Sequence, residues 1–174
     1  LGFNWEDSEL LKKLSEVIIH RGPDDYAHYT DRHISLGMRR LSIIDLKKGL
    51  YPITNEKGNL LTIFNGEIYN YKEIRTELKR KGHKFTTDYD AEIIPHAFEE
   101  YGSYFVNRLN GMFAICLYDT DTKKLFLFRD RLGIKSINYY FDGKRFAFAS
   151  EIKPLLELPD FEKNINESAL NNYF

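Results

Sequence analysis

The chain is short of cysteine, of net charge and of long apolar runs, and each shortage removes a class of protein. A single cysteine, Cys116, permits no internal disulfide and suits a reducing compartment, so the cytoplasm is the expected location. With 25 basic and 26 acidic side chains the net charge is −1, too small for a field that draws in nucleic acid or anionic lipid. No apolar stretch approaches the ~18 residues of a membrane span, and no leader pattern opens the chain. Neither nucleic acid nor membrane is therefore expected as a partner. Phosphate loops of the GxGxxG or GxxxxGK[ST] kind are absent, as is a GxSxG nucleophile elbow. The five histidines (His20, His28, His33, His83, His96) lack HxxxH or cysteine-pair spacing, so no metal is expected in this chain. Asp119–Lys124 (DTDTKK) opens like a calcium loop but lacks the glycine at its sixth position and the glutamate at its twelfth, which leaves a hairpin tip.

What the chain does have is apolar and aromatic material. At 174 residues, 43% hydrophobic and 15% aromatic, it suits one domain with a substantial core. Leu10, Leu11, Leu14, Val17 and Ile18 recur at helical spacing behind Asp7 or Ser8 as N-cap, and the helix must stop at Gly22-Pro23. Strands are predicted over 26–30, 33–38 and 60–64. Asn70, with Glu73 in a capping-box pattern, is expected to start a helix, and Lys79–Lys84 with Gly82 to end it. A further helix is predicted over 90–101, with Pro95 tolerable in its first turn and Gly102 at its end. MFAICLYD, KLFLFRD, INYYF and RFAFAS follow as four apolar runs, expected to form an antiparallel meander. They are apolar on both faces, so sheets stacked on one another with helices outside are expected, a layered α+β domain. A short helix is expected after Glu151 and a new one from Ala169. Cys116, inside FAICLYD, reads as a small buried hydrophobe.

Polar residues cluster at the predicted strand ends: Arg40 after ISLGM, Asn65-Gly66-Glu67 after LLTIF, and Asp90 just before Glu92. Asn65-Gly66 spells a hairpin turn, yet Tyr71, Ile74 and Leu78 follow at helical spacing. A free α-amino acid needs a cation for its carboxylate and an anion for its ammonium, and Arg40 and Asp90 are of those types. Acyl transfer also needs donors for an oxyanion, which a side-chain amide and a glycine N–H can supply.

Seven segments occur in order: HRGPDD (His20–Asp25), RLSIID (Arg40–Asp45), FNGEIYN (Phe64–Asn70), the Asp90/Glu92 pair, LNGMFAI (Leu109–Ile115), RDRLGIK (Arg129–Lys135) and SEIK (Ser150–Lys153). Together they resemble the glutamine amidotransferase domain of asparagine synthetases, within the N-terminal-nucleophile hydrolases, over nearly the whole chain. The resemblance implies a four-layer αββα sandwich that hydrolyses L-glutamine through a cysteine at the mature N-terminus and hands ammonia to a synthetase domain. It implies Arg40 on the glutamine carboxylate, Asp90 on the ammonium, and Leu41, Ser42, Ile43 and Ile44 as the adjoining loop. Asn65 and Gly66 would form the oxyanion hole, and Glu67 would line the amino-acid end. It further implies no cofactor in this domain, ATP and magnesium in the synthetase domain of the same chain, and is compatible with a homodimer.

The family's Cys-Gly-Ile start is not in this sequence, and Leu1-Gly2-Phe3 aligns downstream of it. Tyr51 stands for the usual glutamine before Pro52, and Ser136 for the usual proline after Gly-Ile-Lys. Residues 1–160 are accordingly expected to be a glutaminase domain without its extreme N-terminus, and 161–174 the start of a linker or helix. Three other readings stay open: a non-catalytic scaffold like that of β-lactam synthetases, a glutaminase serving another acceptor, and a plain amino-acid-binding module.

Overall fold

The computed structural model describes residues 1–40, 52–164 and 167–169. Two antiparallel sheets form the centre. The first has the order β2-β3-β1-β9-β8, from Asp25–Asp31 (β2), Ile34–Arg40 (β3), Gly2–Phe3 (β1), Phe146–Ala149 (β9) and Asn138–Phe141 (β8). The second runs β4-β5-β6-β7, from Ile53–Thr54, Leu60–Ile68, Gly111–Asp119 and Lys124–Arg129. Helices α1 (Ser8–Val17), α2 (Tyr71–Arg80), α3 (Ile93–Tyr101) and the short α4 (Ile152–Leu155) cover the outer faces.

Three apolar layers hold the four structural layers together, as the expected αββα sandwich requires. Leu11, Leu14 and Ile18 of the α1 segment and Leu155 of α4 pack on Phe3, Ala147 and Ala149. Between the sheets lie Ile34, Leu36 and Phe148 from one and Leu61, Cys116 and Tyr118 from the other. Ile74 and Leu78 of α2, with Ile93, Ile94 and Ala97 of α3, cover Phe64, Ile68, Phe113 and Ile115. Removing one such leucine or phenylalanine from water is worth about 1.5–3 kcal/mol, so each layer is a substantial adhesive.

Local signals act where they were read. Asp7 caps α1, its Oδ1 accepting from the Leu10 N–H at 2.9 Å. Pro95 lies in the first turn of α3, after a single 3-10 turn over Asp90–Glu92, and Gly102 ends it. At the end of α2, Gly82 N–H bonds to Lys79 O (3.1 Å) and His83 N–H to Leu78 O (3.1 Å), a Schellman closure. The DTDTKK segment is the β6–β7 tip, with Asp119 accepting from the N–H groups of Asp121 and Thr122.

Three expectations are corrected. The four apolar runs do not form one meander: β6 and β7 join the second sheet, whereas β8 and β9 join the first, where β1 separates β9 from β3. Strand β5 does not end at Phe64 but continues through Asn65 and Gly66 to Ile68, because each residue pairs with β6 down to Ile68 opposite Gly111. Asn70 precedes α2 without capping it. Its Nδ2 donates to Arg108 O (2.9 Å) and its Oδ1 accepts from Asn110 N–H (2.9 Å), tying the helix start to the β6 entry instead. Among the described residues no helix is long and apolar enough to cross a membrane.

Candidate functional site

Alternation along β5 decides where Asn65 points. Leu61 and Ile63 face the layer between the sheets, and two residues on, Asn65 continues that row. It lines a cavity of about 40 Å³ with Leu1, Ala114, Cys116, Ser136 and Ser150. Gly66 is set against β6 so closely that a Cβ would lie 2.0 Å from the Met112 carbonyl oxygen, and its φ is +152°. Only glycine fits there. Cys116 is buried in this wall, and burial pushes its thiol up to about 12, away from the thiolate form.

The other residues meet at the end of the same strand. The Ile68 N–H donates to Asp90 Oδ2 at 2.7 Å, and the Ala91 N–H to Asp90 Oδ1 at 2.8 Å. Burial raises the Asp90 carboxyl above its ordinary pKa in spite of these donors. Arg40, the last residue of β3, donates from Nη2 to the Tyr89 hydroxyl at 2.5 Å, its guanidinium carbon 5.6 Å from the ring centre. Arg40 thus reaches the residue that precedes Asp90, and the Asp90 carboxylate is bonded to the strand that carries Asn65 and Gly66.

The flanking motifs hold these groups in place. Gly22 of HRGPDD packs on the backbone of Arg39 and Arg40, where a Cβ would come within 2.3 Å of the Arg40 nitrogen. The Asp24 N–H bonds to Arg40 O at 3.2 Å. His20 and Arg21 of the same motif reach Glu151 of SEIK at 2.9 and 3.3 Å. Asp130 of RDRLGIK accepts from the N–H groups of Phe113 (3.2 Å), Ile134 (2.9 Å) and Lys135 (3.0 Å). Those donors outweigh burial and keep its pKa low. Next in the chain, Ser136 Oγ donates to Ser150 O at 2.6 Å and closes the cavity wall, a bond the family's proline could not make.

Asp90 also depends on two side chains that the sequence reading did not single out for that work. Arg75 donates to the carbonyls of Thr87 (2.6 Å) and Tyr89 (2.7 Å). Glu92 accepts from the N–H of Thr86 (2.6 Å) and Thr87 (2.9 Å) and from both hydroxyls. The two lie 3.5 Å apart and are almost entirely buried. This satisfies the rule that a buried ion pair persists only when further hydrogen bonds complete it. Arg75 carried a legible signal, since it shares the inward face of α2 with Tyr71, Ile74 and Leu78, where an arginine demands partners. Tyr89 carried none.

Of the residues expected from the resemblance, Asn65 and Gly66 lie on β5, Asp90 is bonded to Ile68 of the same strand, and Arg40 reaches Tyr89; neither Arg40 nor Asp90 lines the cavity at Asn65. Glu67 is next along β5 and exposed. Leu41, Ser42, Ile43 and Ile44, like Tyr51, lie outside the described residues.

Comparison with known proteins bears on the family and the fold. The family profile described as the glutamine amidotransferase domain matches residues 1–174. The chain is 43% identical over 157 residues to the glutamine-hydrolyzing asparagine synthetase 2 of Bacillus subtilis, covering 90% of this chain and 21% of that protein. Asparagine synthetase 1 of the same organism is 39% identical over 168 residues, covering 97% of this chain and 26% of its own length. The chain thus spans about a quarter of these relatives. Among solved structures, the glutamine phosphoribosylpyrophosphate amidotransferase of B. subtilis superimposes with a TM-score of 0.71 at 16% identity, over 88% of this chain and 42% of that one, a likeness of fold. A family match from first residue to last, on a sandwich shared with an amidotransferase, settles the membership: the chain belongs to the glutamine amidotransferase domain family and is homologous to glutamine-hydrolysing asparagine synthetases.

Proposed function

We propose that this domain hydrolyses L-glutamine and supplies the ammonia to an ATP-dependent synthetase domain of the same protein, which amidates aspartate. Arg40 receives the α-carboxylate and Asp90 the α-ammonium of glutamine. The side-chain carbonyl then lies against the Asn65 amide and the Gly66 N–H, which stabilise its oxyanion. The observation that supports this reading is the bond from Arg40 to Tyr89, next in sequence to Asp90, whose carboxylate holds Ile68 of the strand that bears Asn65-Gly66.

The nucleophile we assign to a cysteine upstream of Leu1. Leu1 pairs with Gly37 in both directions, N to O at 3.0 Å and O from N at 2.9 Å, continuing the register that sets Gly2 opposite Leu36. The third residue ahead of Leu1 would then stand level with Arg40. There a thiolate sulfur adds to the glutamine amide carbon, and its proton passes through the chain's α-amino group to the departing ammonia. Water then cleaves the thioester to glutamate.

The test uses the full-length protein. N-terminal sequencing should find a processed cysteine, glutamine should release ammonia, and aspartate with ATP and magnesium should yield asparagine. Another first residue, or no ammonia, overturns the glutaminase. Ammonia without asparagine reassigns only the acceptor.

A further inference from the structure

Away from the glutamine site, we infer that Glu56, His83 and His96 form a zinc-binding site on the flank of the second sheet. Three segments bring them together. Glu56 lies in the β4–β5 turn, His83 follows α2 through its Schellman closure, and His96 points inward from α3. One ligand atom from each lies within 4.8 Å of the others. Glu56 Oε2 is 3.0 Å from His96 Nδ1, and Glu56 Oε1 is 3.8 Å from His83 Nδ1. Tetrahedral ligands at zinc bond lengths of about 2.0–2.1 Å sit roughly 3.3 Å apart, and the two separations, taken to different oxygens of Glu56, lie on either side of that value.

A second observation points to an occupant. His96 is 1% exposed, yet among the described residues neither of its ring nitrogens has a hydrogen-bond partner. Its Nδ1 meets Glu56 at 3.0 Å as an ion pair without hydrogen-bond alignment. A buried imidazole is seldom left in this state. Metal coordination, which needs only lone pairs converging on a point, accounts for Nδ1, the nitrogen that faces Glu56, and leaves Nε2 unchanged. The surroundings fit as well. His83 Nε2 is 3.5 Å from Glu100 Oε2, which leaves Nδ1 for the ion, and an outer carboxylate on the remote nitrogen is the usual company of a metal-bound histidine. Glu56 Oε1 is oriented by the Lys84 N–H at 2.6 Å. Two imidazoles and one carboxylate suit zinc better than magnesium or calcium, which prefer all-oxygen shells. Glu56 is exposed, so solvent can supply the fourth ligand.

An ion here would bind the segment between α2 and α3 to the β4–β5 turn. That segment carries Tyr89 and Asp90, so the site would act as a structural clasp. The inference uses none of the glutamine chemistry and stands or falls separately from it.

The experiment is a zinc titration of the full chain, stripped with chelator, against a chromophoric competitor. One equivalent should bind at micromolar Kd or tighter, undisturbed by millimolar magnesium or calcium. Zinc at 100-fold above Kd should raise Tm by roughly 5–10 °C. His96→Gln and Glu56→Gln should each abolish that equivalent, Glu100→Gln should weaken it about tenfold, and His28→Gln should leave it intact. Glu56 is exposed, so its variant carries the test if His96→Gln does not fold. Absence of a saturable equivalent, or its survival in the Glu56→Gln chain, would reduce the cluster to a metal-free ion pair.

Discussion

Asn65 and Gly66 are fixed by backbone pairing, whereas Tyr89 and Asp90 are fixed by side chains. The first two sit within a nine-residue strand hydrogen-bonded to β6 along its length. The other two occupy a connection whose shape comes from Arg75, Glu92 and a pair of threonines. A sheet ladder places a donor with little freedom, which suits an oxyanion hole that must not reorganise during reaction. A polar clamp places a carboxylate through side-chain bonds, which on the proposed function serves to hold a free amino acid. The contrast teaches that the two ends of one site should fail differently.

The largest failure should come from Gly66→Ala. Its Cβ has no room against Met112, so turnover should vanish and urea denaturation should show a loss of about 3 kcal/mol or more. Asn65→Ala leaves the ladder intact. We expect kcat for glutamine hydrolysis to fall about 10²–10³-fold with KM and the urea midpoint little changed, and a normal kcat would remove Asn65 from the reaction. Glu92→Gln attacks the clamp. Here KM for glutamine should rise about tenfold with kcat nearly kept, alongside roughly 2–3 kcal/mol of lost stability, because Arg75 stays buried with a weakened partner. Should Glu92→Gln depress kcat instead, the two ends are not separable.

Acidification sharpens the same division. On the proposed function Asp90 holds the glutamine ammonium, which requires it ionised; burial raises its pKa, so it takes up a proton at a higher pH than an ordinary aspartate. KM should therefore climb as pH falls through that raised value, before kcat responds, and Asp90→Asn should remove the trend. Smallest of all, Ser136→Pro should cost under about 1 kcal/mol, since it deletes one bond to the Ser150 carbonyl at the cavity wall.

How much of this was legible depended on sequence distance. The α1 cap at Asp7, the end of α2 at Gly82 and the first-turn Pro95 were readable because each is decided within a few residues. Asn65-Gly66 carries a local turn signal that the helical spacing after it already opposed, and pairing with β6, about fifty residues on, overrides it. Allocation of β8 and β9 to the other sheet was hidden for a similar reason. It depends on β1, two residues with no periodicity to detect. Arg40 and Asp90 could be matched chemically to an amino acid, but only the resemblance suggested that they converge. The Arg75–Glu92 clamp and the grouping of Glu56, His83 and His96 arise from packing between segments, which spacing along the chain does not encode.

The position of β1 bears on how the domain comes into being. Gly2 and Phe3 are among the earliest of these residues to leave the ribosome, yet they are flanked on one side by Phe148 and Ala147. At about 5–20 residues per second, the first strand waits on the order of ten seconds for its neighbour to be synthesised. The second sheet, built from strands consecutive in sequence, has its partners much sooner. The end of the sandwich towards which β1 points is therefore completed late in biosynthesis, after the second sheet has all its strands.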